Sequence, residues 1–148
     1  MKRMDASIRE QLLSKSLTWT DIQALAKTFT REYESAALAA VAKPEVSHAQ
    51  LPFLSPTGLW LQSYGFSKAC LGGYCEVLSR AHPSVLSVAC SPGFVQTDMA
   101  STYCGDIKLK SIDEGGQTPA WLAIGSRDEL QSGVFYQPDR TVVGWVAE

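Results

Sequence analysis

The stretch YGFSKACLGGYCEVLSR at residues 64–80 decides the fold that we predict for this chain. It is typical of a helix, and the helix is expected to stop at His82-Pro83 because proline cannot donate a backbone hydrogen bond. Its apolar residues fall on two faces, Phe66, Cys70, Gly73 and Val77 on one and Leu71, Tyr74, Cys75 and Leu78 on the other. A helix that is apolar on two sides is expected to be covered on two sides.

The residues that follow this helix predict strands of a parallel sheet. Residues 85–90 form a short apolar run, typical of a buried strand, which ends in the turn sequence Ser-Pro-Gly at 91–93. Residues 133–136 are predicted to be the final strand, and the apolar tail at 141–145 is predicted to pack against the rest. Alternating strand, helix and strand indicate an α/β fold with a parallel sheet. Two strands leave an open edge, so we expect the chain to be part of a larger sheet.

Two further helices are predicted ahead of this region. Residues 7–16 predict a short helix, and a longer one begins near Thr18, where Thr18 with Asp21 and Thr20 with Gln23 both have the spacing of a capping box. Apolar residues then recur at the spacing of an amphipathic helix, at Ile22, Leu25, Ala26, Phe29 and Tyr33. Residues 41–63 contain three prolines and a glycine, and they are predicted to form a loop.

One more helix is predicted near the carboxyl end. Residues 99–110 show no periodic pattern and are predicted to be irregular. Ser111 and Glu114 then have capping-box spacing. The helix that they begin is expected to be interrupted at Pro119 and closed at Gly125.

Tyr64 and Lys68 are the candidate residues for chemistry. They lie at positions i and i+4 of the predicted helix, so their side chains share one face about one turn apart. A free tyrosine, with a pKa of about 10, is a poor acid at neutral pH, but a neighbouring ammonium stabilises the phenolate. Such a pair can donate a proton to a carbonyl oxygen while a hydride reaches the carbonyl carbon. The spacing alone also fits a solvated lysine beside a packed tyrosine.

The order of these motifs resembles the short-chain dehydrogenase/reductase family. Tyr-x-x-x-Lys on a helix, a strand, and then Pro-Gly-x-Val-x-Thr within SPGFVQTDM at 91–99 follow one another as in that family. The helix from Thr18, the proline-bearing loop and DEGGQTP at 113–119 resemble its carbonyl-reductase type. The similarity extends over residues 7–145. It implies the carboxyl-terminal part of a Rossmann-like, doubly wound parallel α/β sheet with a helical insertion at the amino-terminal end.

The resemblance also implies a domain organisation, an activity and a site. Residues 1–148 would form one partial domain, with the insertion at 7–40 and the catalytic helix, nicotinamide-side strand and carboxyl-terminal elements at 64–148. The implied activity is reduction of aldehydes, ketones or quinones to alcohols with NADPH. Tyr64 would be the general acid, and Lys68 would stabilise its phenolate and bind the nicotinamide ribose. The nicotinamide would be lined by Pro92, Gly93, Val95, Gln96 and Thr97, with backbone groups near Val95 and the hydroxyl of Thr97 holding carboxamide and phosphate.

The chain also departs from the family pattern. The family begins with a strand and a glycine-rich phosphate turn, whereas the first glycine here is Gly58. The strand with the catalytic serine is not recognisable either. We therefore expect the chain alone to be inactive or weakly active and to need a separate amino-terminal half. The alternative is a non-catalytic interaction module that pairs through an exposed sheet edge. A hydrolase is more distant, since neither G-x-S-x-G nor S-x-x-K occurs.

Composition excludes several classes of function. A formal charge of −2 gives no basic field for nucleic acid, and no apolar run reaches the length of a membrane span. The four cysteines form no C-x-x-C pair, which favours reduced thiols in the cytoplasm. With two histidines and no H-E-x-x-H, we expect no metal site. The helical insertion implies a monomeric parent enzyme, because a helix packed in cis would cover the outer face of the catalytic helix. The face with Leu71, Tyr74, Cys75 and Leu78 would then meet Ile22, Leu25 and Phe29.

Overall fold

The computed structural model describes residues 5–42, 59–101 and 107–143 of the 148-residue chain. It is a mixed α/β structure with a small three-stranded sheet. The chain divides into two compact units, the first formed by Met1–Val77 with Val146–Glu148 and the second by Leu78–Trp145.

The first two helices of the first unit begin at side-chain caps. Helix α1 (Ala6–Leu12) begins after Asp5, whose carboxylate accepts hydrogen bonds from the hydroxyl and the amide of Ser7 at 2.6 and 2.9 Å. Helix α2 (Trp19–Ala42) follows Thr18, whose amide donates to the carboxylate of Asp21 at 2.9 Å. The amide of Asp21 donates in return to the hydroxyl of Thr18 at 3.2 Å. The cap predicted at Thr18 is therefore confirmed.

The catalytic helix predicted near residues 64–80 is α3 (Leu59–Ala81). It begins earlier than expected and α2 extends to Ala42, so the prediction of a loop at 41–63 is wrong for residues 41–42 and 59–63. The part of the loop prediction that concerns residues 43–58 lies outside the described residues. The helix can begin at Leu59 because the last helix-breaking proline before it is Pro56 and the next is Pro83.

The core of the first unit joins α1, α2 and α3. Its buried apolar residues are Ile8, Leu12, Leu25, Phe29, Phe66 and Ala69. The rings of Phe29 and Phe66 stack with their centroids 4.3 Å apart. Gly73 is buried, and a Cβ atom there would lie 3.0 Å from Cδ2 of Leu17. The small residues of α3 therefore let the helices approach closely.

The prediction of which α3 face meets α2 is wrong in part. The face with Leu71 was expected to contact Ile22, Leu25 and Phe29, but Leu71 is 56% exposed. Phe66 and Ala69 join that core instead, and Phe66 stacks on Phe29. Two residues of the predicted face do turn inward, since Cys75 is buried and Tyr74 contacts Trp19 at a ring distance of 4.9 Å.

The sheet lies in the second unit and contains three short strands. Strand β1 (Ala89–Cys90) pairs in parallel with β2 (Phe135–Tyr136), as the sequence predicted. Strand β2 is not the final strand, because β3 (Val142–Val143) forms from the apolar tail and pairs antiparallel with it. The expectation of a purely parallel sheet is therefore wrong at β3. A tight turn joins the two strands, which makes antiparallel pairing the available geometry.

Two helices complete the second unit. Helix α4 (Asp98–Ser101) is a single turn within the region predicted to be irregular, and residues 102–106 lie outside the described part. Helix α5 (Ile112–Ile124) begins with the predicted capping box and ends at Gly125. Both terminal predictions are confirmed.

The predicted interruption of α5 at Pro119 is wrong, because the helix continues to Ile124. Leu122, one turn beyond the proline, is buried together with Val134 and Tyr136, and Trp121 packs against them. The free energy gained by burying these side chains offsets the cost of the backbone hydrogen bond that the proline removes.

Candidate active site

Helix α3 brings Tyr64 and Lys68 together. The Nζ atom of Lys68 lies 5.4 Å from the centroid of the Tyr64 ring. Tyr64 is 47% exposed, and Lys68 is exposed as well. The hydroxyl of Ser67, which lies between them in the sequence, donates to the backbone carbonyl of Tyr64 at 2.8 Å. The arrangement follows from helix geometry, since residues four apart lie one above the other.

Burial of the other side of α3 gives this pair a firm base. Phe66 and Ala69 are only 3 and 4% exposed, and both belong to the core of the first unit. The helix is therefore fixed by its apolar face while Tyr64 and Lys68 point away from that core. Such anchoring limits the positions that the two polar side chains can reach.

The turn predicted to contact the nicotinamide begins at the end of β1. Gly93 has a φ of 81°, in the left-handed region that favours glycine. Its amide donates to the hydroxyl of Ser91 at 3.1 Å, and a Cβ atom at this position would lie 3.3 Å from Cγ of Pro138. Pro92 beside it is exposed. Glycine at this position therefore allows both the left-handed turn and the close approach of Pro138.

The remaining predicted residues lie in an ordered extension of this turn. A parallel bridge pairs Val95 with Lys110, formed by Gln96 N to Lys110 O at 2.9 Å and Lys110 N to Phe94 O at 2.8 Å. The side chain of Val95 packs against Gly115 of α5, where a Cβ atom would lie 2.9 Å from Cγ1 of the valine. Gln96 is exposed.

Thr97 makes local hydrogen bonds at the start of α4. Its hydroxyl donates to the carbonyl of Val95 and accepts from the amide of Ala100, both at 3.4 Å. These bonds are long, and Thr97 is exposed. The hydroxyl is therefore weakly held by its own turn and remains accessible to a ligand.

Two contacts of the turn had no counterpart in the sequence prediction. Lys110 and Pro138 both lie against Gly93, although they are 17 and 45 positions away in the chain. The only hint was the motif after residue 110, which marked the start of α5 but gave no indication that the preceding lysine reaches the turn.

The predicted site residues fall into two groups that belong to different units. Tyr64 and Lys68 are in the first unit, and residues 92–97 are in the second. The structure brings together the members within each group. Their union in one pocket stays a prediction.

Cysteine and metal chemistry receive little support from the described residues. Burial raises the pKa of Cys70 to about 11 and also raises the pKa of Cys90, so both thiols are held protonated at neutral pH. Cys70 and Cys90 are free thiols. Within residues 5–42, 59–101 and 107–143, no cluster of three or more histidine, cysteine or acidic side chains is placed to hold a metal ion. None of the described helices has the length and hydropathy needed to cross a membrane.

Comparison with known proteins gives a consistent set of relatives. The chain is 39% identical over 77 residues to (+)-neomenthol dehydrogenase of Arabidopsis thaliana, which covers 52% of this chain and 25% of that protein. It is 35% identical over 74 residues to short-chain dehydrogenase/reductase 1 of Saponaria officinalis, covering 50 and 23%. It is 36% identical over 90 residues to carbonyl reductase (NADPH) 1 of Mus musculus, covering 56 and 31%.

These matches are partial on both sides. The chain spans between 23 and 31% of the length of the curated relatives that it matches. No family model matches the chain. The relatives are oxidoreductases, and one is named for the family that the motifs suggested. Over about half of its length, therefore, this chain is similar to short-chain dehydrogenase/reductases, which supports the resemblance seen in its motifs.

Proposed function

We propose that this chain carries the carboxyl-terminal, catalytic part of an oxidoreductase that reduces aldehydes, ketones or quinones to alcohols with NADPH. The Tyr64–Lys68 pair is the observation that carries the proposal, because it places an ammonium 5.4 Å from the centroid of an accessible phenol ring. The names of the relatives support the same class, since they include a dehydrogenase and an NADPH carbonyl reductase.

In the proposed reaction, the bound nicotinamide supplies the hydride. The hydroxyl of Tyr64 donates its proton to the carbonyl oxygen, so that the carbonyl becomes an alcohol and the phenol becomes a phenolate. The ammonium of Lys68 stabilises that phenolate electrostatically and donates to the ribose hydroxyls. A proton from solvent then restores the phenol.

The turn at residues 92–97 would hold the nicotinamide ring. Gly93 offers backbone without a side chain, and its φ of 81° gives the turn its shape. Val95 would offer backbone groups to the carboxamide, and the hydroxyl of Thr97 would hold a phosphate. The side chain of Gln96 is exposed next to them. In this proposal the second unit binds the ring and the first unit supplies the proton.

The proposal includes a partner for the sheet. Strand β1 pairs with β2 on one side, and within the described residues no strand pairs with its other edge. A separate amino-terminal half, with a glycine-rich phosphate turn, would extend the sheet there into the doubly wound parallel arrangement. We further propose a cytoplasmic location and a monomeric parent enzyme, without nucleic-acid or membrane partners.

The test is reconstitution of activity. Oxidation of NADPH would be followed spectroscopically with a quinone and an aldehyde, first with this chain alone and then with an added amino-terminal half from a relative. We expect negligible turnover by the chain alone and measurable turnover by the mixture. Y64F should abolish the restored turnover, whereas Y74F should leave it largely unchanged because Tyr74 packs against Trp19. Equal activity of Y64F and the unaltered mixture would disprove the role of Tyr64.

The second candidate function is a non-catalytic interaction module. One edge of β1 has no paired strand among the described residues, which favours this function because an open edge can accept a strand from another protein. The two functions differ in their response to cofactor. Saturable NADPH binding supports the reductase, whereas a stable complex with an unrelated protein and no NADPH binding supports the module.

A further inference from the structure

Lys110 occupies an unusual position against the turn at Gly93. A Cβ atom on Gly93 would lie 3.6 Å from both Cε and Nζ of Lys110. The end of the lysine side chain therefore lies over the one residue of the turn that has no side chain. Its ammonium borders the same bare backbone that the proposed function assigns to the cofactor.

The backbone around Lys110 fixes this position. Its amide donates to Phe94 O at 2.8 Å, and its carbonyl accepts from Gln96 N at 2.9 Å. Two backbone hydrogen bonds therefore connect the lysine to the turn on both sides of Val95. Lys110 is half-buried, which restricts its side chain further. A side chain that starts from such a base loses less conformational entropy on binding a ligand.

The carboxylates near Lys110 are already engaged elsewhere. Glu114 accepts from the amide of Ser111 at 2.7 Å, and Asp139 accepts from the hydroxyl and the amide of Thr141 at 2.6 and 3.0 Å. These hydrogen bonds chiefly lower the pKa values of the two carboxyls, and the charge of Lys110 lowers them further. Within the described residues, no ion pair or hydrogen bond uses the ammonium of Lys110 itself. Its three N–H donors are available to a ligand.

We infer that Lys110 is a further binding residue of this site and that its ammonium holds a phosphate group of the ligand against the turn at Gly93. The chemistry fits, because an ammonium is a strong point charge for phosphate and Nζ of Lys110 lies next to the turn. The inference rests on the proposed function, since the phosphate would be that of the nicotinamide nucleotide.

The test uses the full chain labelled with nitrogen-15 and titrated with inorganic pyrophosphate at constant ionic strength. We expect saturable shifts of the amide signals of Gly93 and Phe94. K110Q should weaken pyrophosphate binding about tenfold, the effect of losing a charged hydrogen bond, and K110R should stay within about threefold. K108Q is the matched control, because Lys108 is an exposed lysine of the same segment. It should change binding by no more than about twofold.

The outcomes separate this inference from the proposed function. The role of Lys110 would be overturned if pyrophosphate did not shift the amide signal of Gly93, or if K108Q and K110Q lost pyrophosphate affinity equally. A parallel titration with NADPH tests the reductase proposal, which expects shifts at Tyr64 and Lys68 as well. If NADPH shifts those signals equally in K110Q, the proposed function stands and the inference fails. If pyrophosphate binding depends on Lys110 but NADPH shifts the amide signals of neither Tyr64 nor Lys68, the phosphate site stands and the reductase proposal fails.

Discussion

The contact between Gly115 of α5 and Val95 gives a sharp prediction about stability. A Cβ atom on Gly115 would overlap Cγ2 of Val95 and lie 2.9 Å from its Cγ1. Valine has a stiff side chain and cannot easily turn away. Gly116, the next residue of the same helix, has no atom within 4 Å of a Cβ in that position. The two glycines therefore differ in their surroundings while sharing the helix.

The expected magnitudes follow from these surroundings. In a helix, replacing glycine with alanine stabilises by about 1 kcal/mol. G116A should show this gain in full. G115A should show the same gain reduced by an overpacking cost of about 1–3 kcal/mol. We therefore expect G115A to be less stable than G116A by about 1–3 kcal/mol, and to be no more stable than the unaltered chain.

Urea unfolding of the full chain measures these differences through the midpoint, provided that the slope is unchanged. V95A supplies the control, because it removes both Cγ atoms from the contact. In a V95A background, G115A should recover most of the gain that G116A shows, because only the Cβ atom of residue 95 remains, 3.2 Å from the added carbon. The reasoning would be refuted by equal free energies of unfolding for G115A and G116A, or by an effect of G115A that does not depend on residue 95.

Three further predictions concern other parts of the chain. Arg140 has a φ of 66°, and its guanidinium lies 5.0 Å from the centroid of the Trp121 ring. Both R140G and R140A remove the guanidinium, but only glycine relieves the left-handed strain, so the free energy of unfolding of R140G should exceed that of R140A by about 1 kcal/mol in urea unfolding. A more stable R140A would contradict this. Burial raises the pKa of Cys70 from 9.0 to about 11, so the folded state keeps this proton longer than the unfolded state and the free energy of unfolding should fall as pH rises from 9 to 11. C70A should lack that part of the pH dependence, and an identical profile would count against it. Hydrogen bonds from Ser111 chiefly lower the pKa of Glu114 below 4.5, so the stabilisation by this cap should be present above pH 4.5 and lost as the pH falls through the lowered value. Circular dichroism should show a loss of helix content in this range for the unaltered chain and not for E114Q. Identical acid transitions of the two proteins would argue against the cap.

Several features of this protein could be predicted from sequence because they depend on neighbours within one or two turns. The caps at Thr18 and Ser111 need only a side chain three positions away, and both are present. The meeting of Tyr64 and Lys68 follows from the pitch of a helix. The parallel pairing of β1 with β2 followed from the alternation of elements. Local chemistry decides such features before any tertiary contact forms.

Other features were decided only by tertiary structure. Pro119 has the local chemistry of a helix breaker, yet α5 continues because Leu122 is buried against the sheet. The Phe66 face of α3 packs against α2 through the stacked rings of Phe29 and Phe66, and such a contact depends on two surfaces rather than on one segment of sequence. The antiparallel pairing of β3 likewise depends on β2 lying beside it in the folded chain.

The same division holds for the candidate site. The sequence by itself determined the Tyr64–Lys68 pair and the glycine turn, since both are set by short motifs. Only the tertiary structure placed Lys110 and Pro138 against Gly93, because their positions depend on a strand bridge and a hairpin that bring distant segments together. Short motifs fix local geometry, whereas packing over long sequence separation decides what surrounds it.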